Sequence, residues 1–436
     1  MTNFYVPIEI KNREFYSRLL LSLEVCKKYG CNIYFGFRGH VNYFAQNYDP
    51  GIYLGLSTIR NFEKIYLDIK KKGNKILICD EEGLVTYSEK YYKKFKVSEK
   101  IVNLCDYIFT WGKKNTEFLK KYKNISHKII TSGNPRLDLL KKPISKIYEN
   151  EVREIKKKYQ NFYLICTNFS YNNYFDKEKK YSELLKKRNF FTSKKDLKNW
   201  KKYEKIKDKI LNELKIFLEY SKKIKNTLFV IRCHPSENHE IYKQLAKKHS
   251  NVFFDNRFSV HPWILACKGI INHYCTTTFE GAMCKKISYS LKHKYLSDLE
   301  DEDYFKTTII SENSQKLIIN LNKHFKFRMN KIMANYSTDL IKNSKQKAYK
   351  TISNYFKEFC LNGTSEISET FILRYKILNF YQNLKNLIFF RRNYYVDQKI
   401  KNIKAEEIKS FINFFPKYKS LFKIRKINKN FFIISR

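Results

Sequence analysis

Short apolar runs recur along most of this chain. Each ends in a polar cluster, and helix-length segments separate them. Residues 4–10 read as a strand, residues 13–28 as a helix with Leu19, Leu20, Leu23 and Val25 on one face, and residues 32–37 as a second strand. The pattern continues with a helix over 58–72, strands over 75–79, 107–111 and 128–132, and a helix over 115–122. Strands alternating with helices at this spacing build a doubly wound parallel sheet. The charged segment 141–159 holds Pro143 and no strand signal, so it reads as a linker. Beyond it, runs at 162–167, 227–232, 251–254, 269–272 and 287–291 repeat the rhythm, with a helix over 201–223. A very basic stretch, 176–200, has no clear period and reads as a loop or helical insertion. From about Asp298 strand signals fade and helical spacing dominates. The expectation is an α/β chain of two Rossmann-type domains, residues 1–145 and 146–300, facing a cleft. A mostly helical, basic extension then occupies 301–436.

At 436 residues, 43% of them hydrophobic, the chain is long enough for two cores. No run approaches the roughly 18 apolar residues of a membrane span. Charges at Glu9, Lys11, Arg13 and Glu14 interrupt the N-terminus where a secretory signal needs an apolar core, which points to the cytoplasm. The ten cysteines form no Cys-x-x-Cys pair, and several lie inside strand-like runs, as expected of reduced, buried thiols. The formal net charge is +44. A field of that sign attracts anions, whether nucleic acid, acidic lipid head groups, or an anionic donor and acceptor.

In open α/β sheets ligands bind beyond the carboxyl ends of the strands, so the residues after each apolar run carry the candidate chemistry. Asp80-Glu81-Glu82-Gly83 follows the strand KILIC. Adjacent carboxylates repel, and one that is partly buried has a raised pKa suited to a general base; the plain alternative is a solvated acidic turn. Arg232, His234, Pro235, Ser236 and Glu237 close another strand, where a histidine donates a hydrogen bond or a proton to a phosphate. After the strand GIIN come Thr276, Thr277 and Thr278 at the start of a helix, with Glu280 placed to hold a ribose hydroxyl. That set fits a phosphate site or an ordinary helix cap. Asn168, in TNFS, belongs to the same mouth, and Arg136 and Asp138 either meet substrate or pin the linker.

Taken in order, YVPIEIKNREFYSRLLL, DEEG, TWG, SGNPRLDLL, CTNF, RCHPSENHE and CTTTFEGAMCKK resemble the bacterial surface carbohydrate biosynthesis protein family. The resemblance spans residues 4–292. That family is similar to the GT-B glycosyltransferases, and its motifs resemble those of transferases using CMP-activated sugars, such as sialyl- and Kdo-transferases. The resemblance implies a metal-independent glycosyltransferase without a resident cofactor. Its role would be to build capsule or another surface polysaccharide by moving a nonulosonate or Kdo-like sugar from a CMP donor to a glycan or lipid-linked acceptor. By the same resemblance Glu82 or Glu81 is the base, His234 contacts the donor phosphate, and Thr276 and Thr277 bind it. GNPR and HP are also similar to motifs of CDP-glycerol glycerophosphotransferases and of UDP-N-acetylglucosamine 2-epimerase.

Aromatic and basic residues interleave in NLIFFRRNYY and FFPKYKSLFKIRK. They suit either a face resting on anionic inner-membrane lipid or helices bracing the two domains. A nucleic-acid-binding protein and a non-catalytic assembly protein are the readings from other classes. Against the first, the sequence shows no nucleic-acid-binding motif, and its basic residues spread along the whole chain.

Overall fold

The computed structural model describes residues 2–84, 89–122, 125–175, 181–187, 191, 193–294, 300–323, 325–336, 347–360, 367–388, 399–400 and 402–436. Two sheets form its two lobes. The first contains β1 (Thr2–Ile8), β2 (Cys31–Phe37), β3 (Gly51–Gly55), β4 (Lys75–Cys79), β5 (Tyr107–Thr110) and β6 (Ile129–Thr131), all parallel. The second contains β7 (Phe162–Cys166), β8 (Leu228–Arg232), β9 (Val252–Phe254), β10 (Gly269–Asn272), β11 (Ile287–Leu291) and β12 (Ile309–Ser311), again all parallel. The first sheet gains an antiparallel hairpin, β13 (Lys423–Asn428) and β14 (Phe431–Ser435), along β2.

The strand orders are β13-β14-β2-β1-β3-β4-β5-β6 and β12-β11-β10-β7-β8-β9. In each sheet the lobe's first strand lies inside: β1 sits between β2 and β3, and β7 between β8 and β10. The winding reverses there, which opens a crevice beyond the carboxyl ends of these strands. Every residue of β1 and of β7 is buried, as expected of parallel strands covered by helices on both faces. Helix Lys11–Tyr29 covers one face with Leu19, Leu20, Leu23 and Val25, all 0% exposed. Gly30, at φ 63°, ends that helix by donating its N–H to Cys26 O.

The alternating pattern thus yields the two expected Rossmann-type lobes, but some elements differ from the sequence expectation. Residues 141–159 are more than a linker. Helix Glu149–Lys158 buries Ile155 in the core of the second lobe, beside Trp263 and Ile264 of helix Val260–Ala266. Four short strands had too little signal: β3, a five-residue run with glycine at both ends, and β12, β13 and β14 beyond residue 300. The C-terminal region is largely helical, as in Ala348–Asn354 and Ala405–Phe414, yet it folds back onto the first lobe. Phe411, Phe415 and Tyr418, from and just after the second of those helices, join the core of that lobe, and Phe431 to Ile434 of β14 are at most 1% exposed. Most of NLIFFRRNYY lies outside the described residues. No described helix is long and apolar enough to cross a membrane. All ten cysteines are free, most of them buried.

Candidate active site

The loop after β4 is framed by two other strand tips. Trp111, after β5, donates its indole N–H to Asp80 O, and Asn134, after β6, donates to the same oxygen at 3.3 Å. A side chain at Gly83 would come within 2.5 Å of the Trp111 ring, so this position needs glycine for close approach. Asp80 is spent on the loop itself, accepting from Glu82 N at 2.8 Å and Ser57 Oγ at 3.1 Å.

Glu81 and Glu82 then part company. Glu81 is 3% exposed, and its Oε1 accepts from Arg18 Nε at 3.1 Å. The rest of the Arg18 guanidinium is held by the carbonyls of Leu54, Gly55 and Cys79 at the ends of β3 and β4. Glu81 Oε2 is buried with no partner. Burial pushes this carboxyl up to about 7, with Arg18 opposing. Glu82 is 55% exposed and bound by Arg13 at 2.8 Å and Lys96 at 3.0 Å. Lys96 above all, then Arg13, holds its carboxyl well below the ordinary range. Of the two sequence candidates for the base, Glu81 has the proton affinity and the unpaired oxygen.

The second lobe presents cationic and neutral donors. Arg232, at the end of β8, donates through Nη2 to Phe258 O at 3.2 Å, while its Nε has no partner. Among the described residues no carboxylate pairs with it, and burial lowers its pKa. His234 accepts at Nδ1 from Ser236 N at 3.2 Å, which leaves its proton on Nε2. Burial, then Arg13 across the cleft, brings the imidazole down to about 4, so it is a neutral donor. Thr277 opens helix Thr277–Met283 and lines the same cavity as Arg232 and His234. An unneutralised guanidinium beside a neutral imidazole N–H and threonine hydroxyls is a cradle for a phosphate oxygen.

One cavity of about 320 Å³ joins these groups. Asn12, Arg13, Glu81, Glu82, Lys96 and Arg136 line it from the first lobe, and Asn168, Ser170, Arg232, His234, Pro235, Ser236, Thr276 and Thr277 from the second. The tips of β1, β4, β7, β8 and β10 therefore converge on one gap.

Three sequence candidates, Glu237, Thr278 and Glu280, are not in the cavity lining and lie behind its wall. Glu237 is 0% exposed and accepts from Thr167 Oγ1 at 3.0 Å, Phe169 N at 3.1 Å and the Tyr242 hydroxyl, which fixes the loop after β7. Thr278 Oγ1 accepts from Asn272 Nδ2 at 2.9 Å and meets Tyr304. Glu280 is enclosed too, because Arg136 donates to its Oε1 at 2.5 Å and His261 Nε2 lies 3.3 Å from the same oxygen. His261 Nδ1 then accepts from the Tyr148 hydroxyl at 2.9 Å. Burial raises the Glu280 carboxyl, but Arg136 and His261 outweigh it and hold it at about 2. Its other oxygen, Oε2, is buried with no partner, and Glu280 is not part of the cavity lining. Asp138 accepts from Tyr349 N at 2.9 Å, tying a C-terminal helix, and from Lys141 Nζ at 3.2 Å at the start of segment 141–159.

Asn12, Arg13, Lys96 and His261 line the cavity without having been singled out from sequence. Asn12 and Arg13 follow β1, so the strand-tip rule reaches them; Lys96 and His261 lie on helices, where no motif marks them. The chain also carries an Asp-x-Asp triplet, Asp301-Glu302-Asp303, but its aspartates bind Lys114 of the first lobe at 2.5 and 3.1 Å.

No family model matches the chain, and no curated protein matches it in sequence. Solved structures do match its fold. UDP-GlcNAc 2-epimerase of Methanocaldococcus jannaschii, in complex with UDP-GlcNAc and UDP, is 12% identical with a TM-score of 0.52, covering 82% of this chain and 99% of that one. S. aureus MnaA with UDP gives 10% and 0.52, covering 84% and 100%. The Neisseria meningitidis UDP-GlcNAc 2-epimerase bound to UDP-GlcNAc gives 14% and 0.50, covering 82% and 100%. At these identities the likeness is one of fold: two facing Rossmann-type lobes of the GT-B kind.

Proposed function

We propose that this chain is a glycosyltransferase of surface polysaccharide synthesis that moves a sugar from a nucleotide donor to a glycan hydroxyl. One observation carries the reading. Arg232, which forms no ion pair with a described carboxylate, shares a cavity with Glu81, a buried carboxylate with a raised pKa and an unpaired oxygen.

The donor phosphate lies against Arg232, the His234 Nε2–H and the hydroxyls of Thr276 and Thr277. As the bond from the anomeric carbon to the phosphate oxygen breaks, its electron pair moves to that oxygen, and the fixed donors stabilise the growing charge. Glu81 Oε2 takes the proton of the acceptor hydroxyl, whose oxygen bonds to the anomeric carbon. Arg136 and Glu280 join the lobes beneath the cavity, which keeps water from a donor prone to hydrolysis. In keeping with the motif resemblance, the donor is a CMP-activated ulosonate and the acceptor a glycan on a lipid carrier at the cytoplasmic face of the membrane. UDP-sugar chemistry is the second reading, because the solved structures of this fold hold UDP-GlcNAc and UDP. A carboxylate with the proton affinity of Glu81 serves equally to draw a proton from a sugar carbon.

Incubation with CMP-sialic acid, CDP-glycerol and UDP-N-acetylglucosamine separates the readings, with melting temperature and released nucleotide as readouts. The proposal predicts a raised melting temperature with CMP compounds and release of CMP. Conversion of UDP-N-acetylglucosamine to its 2-epimer selects the second reading. A panel with neither stabilisation nor turnover contradicts both.

A further inference from the structure

Helix Glu369–Ile388 lies on the first lobe beside the terminal hairpin. One face is packed: Ile372 and Tyr375 are buried, and the Phe371 and Tyr375 rings meet Phe44. The opposite face exposes Leu373, Ile377, Phe380, Tyr381 and Leu384, each between 43% and 64%, with Leu378 at its edge. At 100° per residue these five fall within an arc of about 100°, a continuous apolar stripe. No other described helix or strand exposes more than two large apolar side chains. A stripe of this kind on a protein surface marks a contact.

The surroundings of the stripe identify what it meets. Arg374 and Lys376, both exposed, flank it on either side. The adjacent strand β13, tied to the helix by the Arg425–Glu369 ion pair, exposes Lys423, Arg425 and Lys426. The whole chain carries +44. A second copy docked by a two-fold axis would set these cations against their own equivalents. An acidic surface instead complements them, with apolar side chains entering the acyl boundary and the long basic ones reaching the head groups. We propose that helix Glu369–Ile388 is the docking surface of this protein for an anionic lipid bilayer. The helix lies along the membrane rather than through it, because no described helix is apolar enough to cross. This surface is separate from the cleft and does not depend on which reaction occurs there.

Flotation of the full chain with phosphatidylcholine vesicles, with and without phosphatidylglycerol, tests the proposal. Two variants accompany it, Leu373→Ser/Phe380→Ser/Leu384→Ser and Arg374→Glu/Lys376→Glu. The altered side chains are all exposed, and melting curves check that both variants fold. The wild-type chain is expected to float with the phosphatidylglycerol vesicles and not with phosphatidylcholine alone, and both variants to lose roughly tenfold or more of that binding. Any of three results overturns the proposal: no flotation of the wild type, equal flotation of the variants, or a wild-type dimer without vesicle binding that the serine variant dissociates.

Discussion

Arg136 and Glu280 reach from opposite lobes to form an ion pair beneath the cleft, Nε to Oε1 at 2.5 Å, with side chains 6% and 0% exposed. The same guanidinium lies 3.4 Å from Glu81 O and 3.5 Å from Thr276 Oγ1, so a single side chain joins the floor to both walls of the cavity. The pair joins the two lobes through one oxygen of Glu280.

Removing one partner of such a pair leaves an uncompensated buried charge. Arg136→Met is expected to cost about 3–5 kcal/mol in urea unfolding. Adding Glu280→Gln to that background is expected to restore a large part of the loss, because the stranded charge goes with it. Equal stability of Arg136→Met and the parent would show that the lobes are not joined here.

The two neighbouring glutamates offer a kinetic contrast. If Glu81 is the base, Glu81→Gln lowers turnover by about 10²–10⁴-fold. The base must be ionised, and burial puts Glu81 at about 7, so the parent rate climbs as pH rises through 7 and then levels. That limb disappears in Glu81→Gln. Glu82→Gln keeps it, because Lys96 and Arg13 hold Glu82 ionised throughout this range. His234 adds no limb near neutrality, since burial keeps it neutral down to about 4. A limb that survives Glu81→Gln assigns the base elsewhere.

Stability has its own pH signature at Glu237, whose carboxyl burial raises from 4.5 to about 7. The native state then binds this proton more tightly than the unfolded state. Its contribution is therefore fully present below about 4.5 and is lost as pH climbs through 7. The loss is of the order of 3 kcal/mol, and Glu237→Gln should flatten it. Urea unfolding between pH 5 and pH 8, parent against variant, reads the difference directly.

The terminal hairpin gives a packing test. Phe432 on β14 is 0% exposed and belongs to the core of the first lobe. Phe432→Ala is expected to cost about 3–5 kcal/mol. A chain ending before Lys423 uncovers β2 and should be recovered as insoluble protein. Normal solubility of that truncation would mean the hairpin is dispensable.

These tests fall on features that the sequence shows unevenly. The acidic loop, the Arg232–His234 tip and the Thr276–Thr277 helix start are legible because each directly follows a continuous apolar run, and a parallel sheet places such residues at its mouth. Local order cannot show which side of a wall a residue occupies. Glu280 and Glu237 carry the right chemistry at the right tips, but tertiary partners (Arg136 and His261 for one, Thr167 and Tyr242 for the other) turn them away from the cavity. Arg18 is legible only as a charge within the apolar helix Lys11–Tyr29, and its partner Glu81 is 63 residues away. The strand β14 pairs with β2 across nearly the whole chain, so no spacing rule connects them. Its basic, aromatic approach, FFPKYKSLFKIRK, reads as a lipid-facing surface or as bracing helices, not as a strand.

The central claim, that Arg232 waits in the cleft for an anionic nucleotide, is tested most directly by calorimetric titration of CMP, CDP and UDP into the parent and Arg232→Met. A charged hydrogen bond to phosphate contributes about 1.5–3 kcal/mol. The account therefore predicts saturable binding of at least one nucleotide to the parent and roughly ten- to hundredfold weaker binding to the variant. Undiminished binding to Arg232→Met would contradict it.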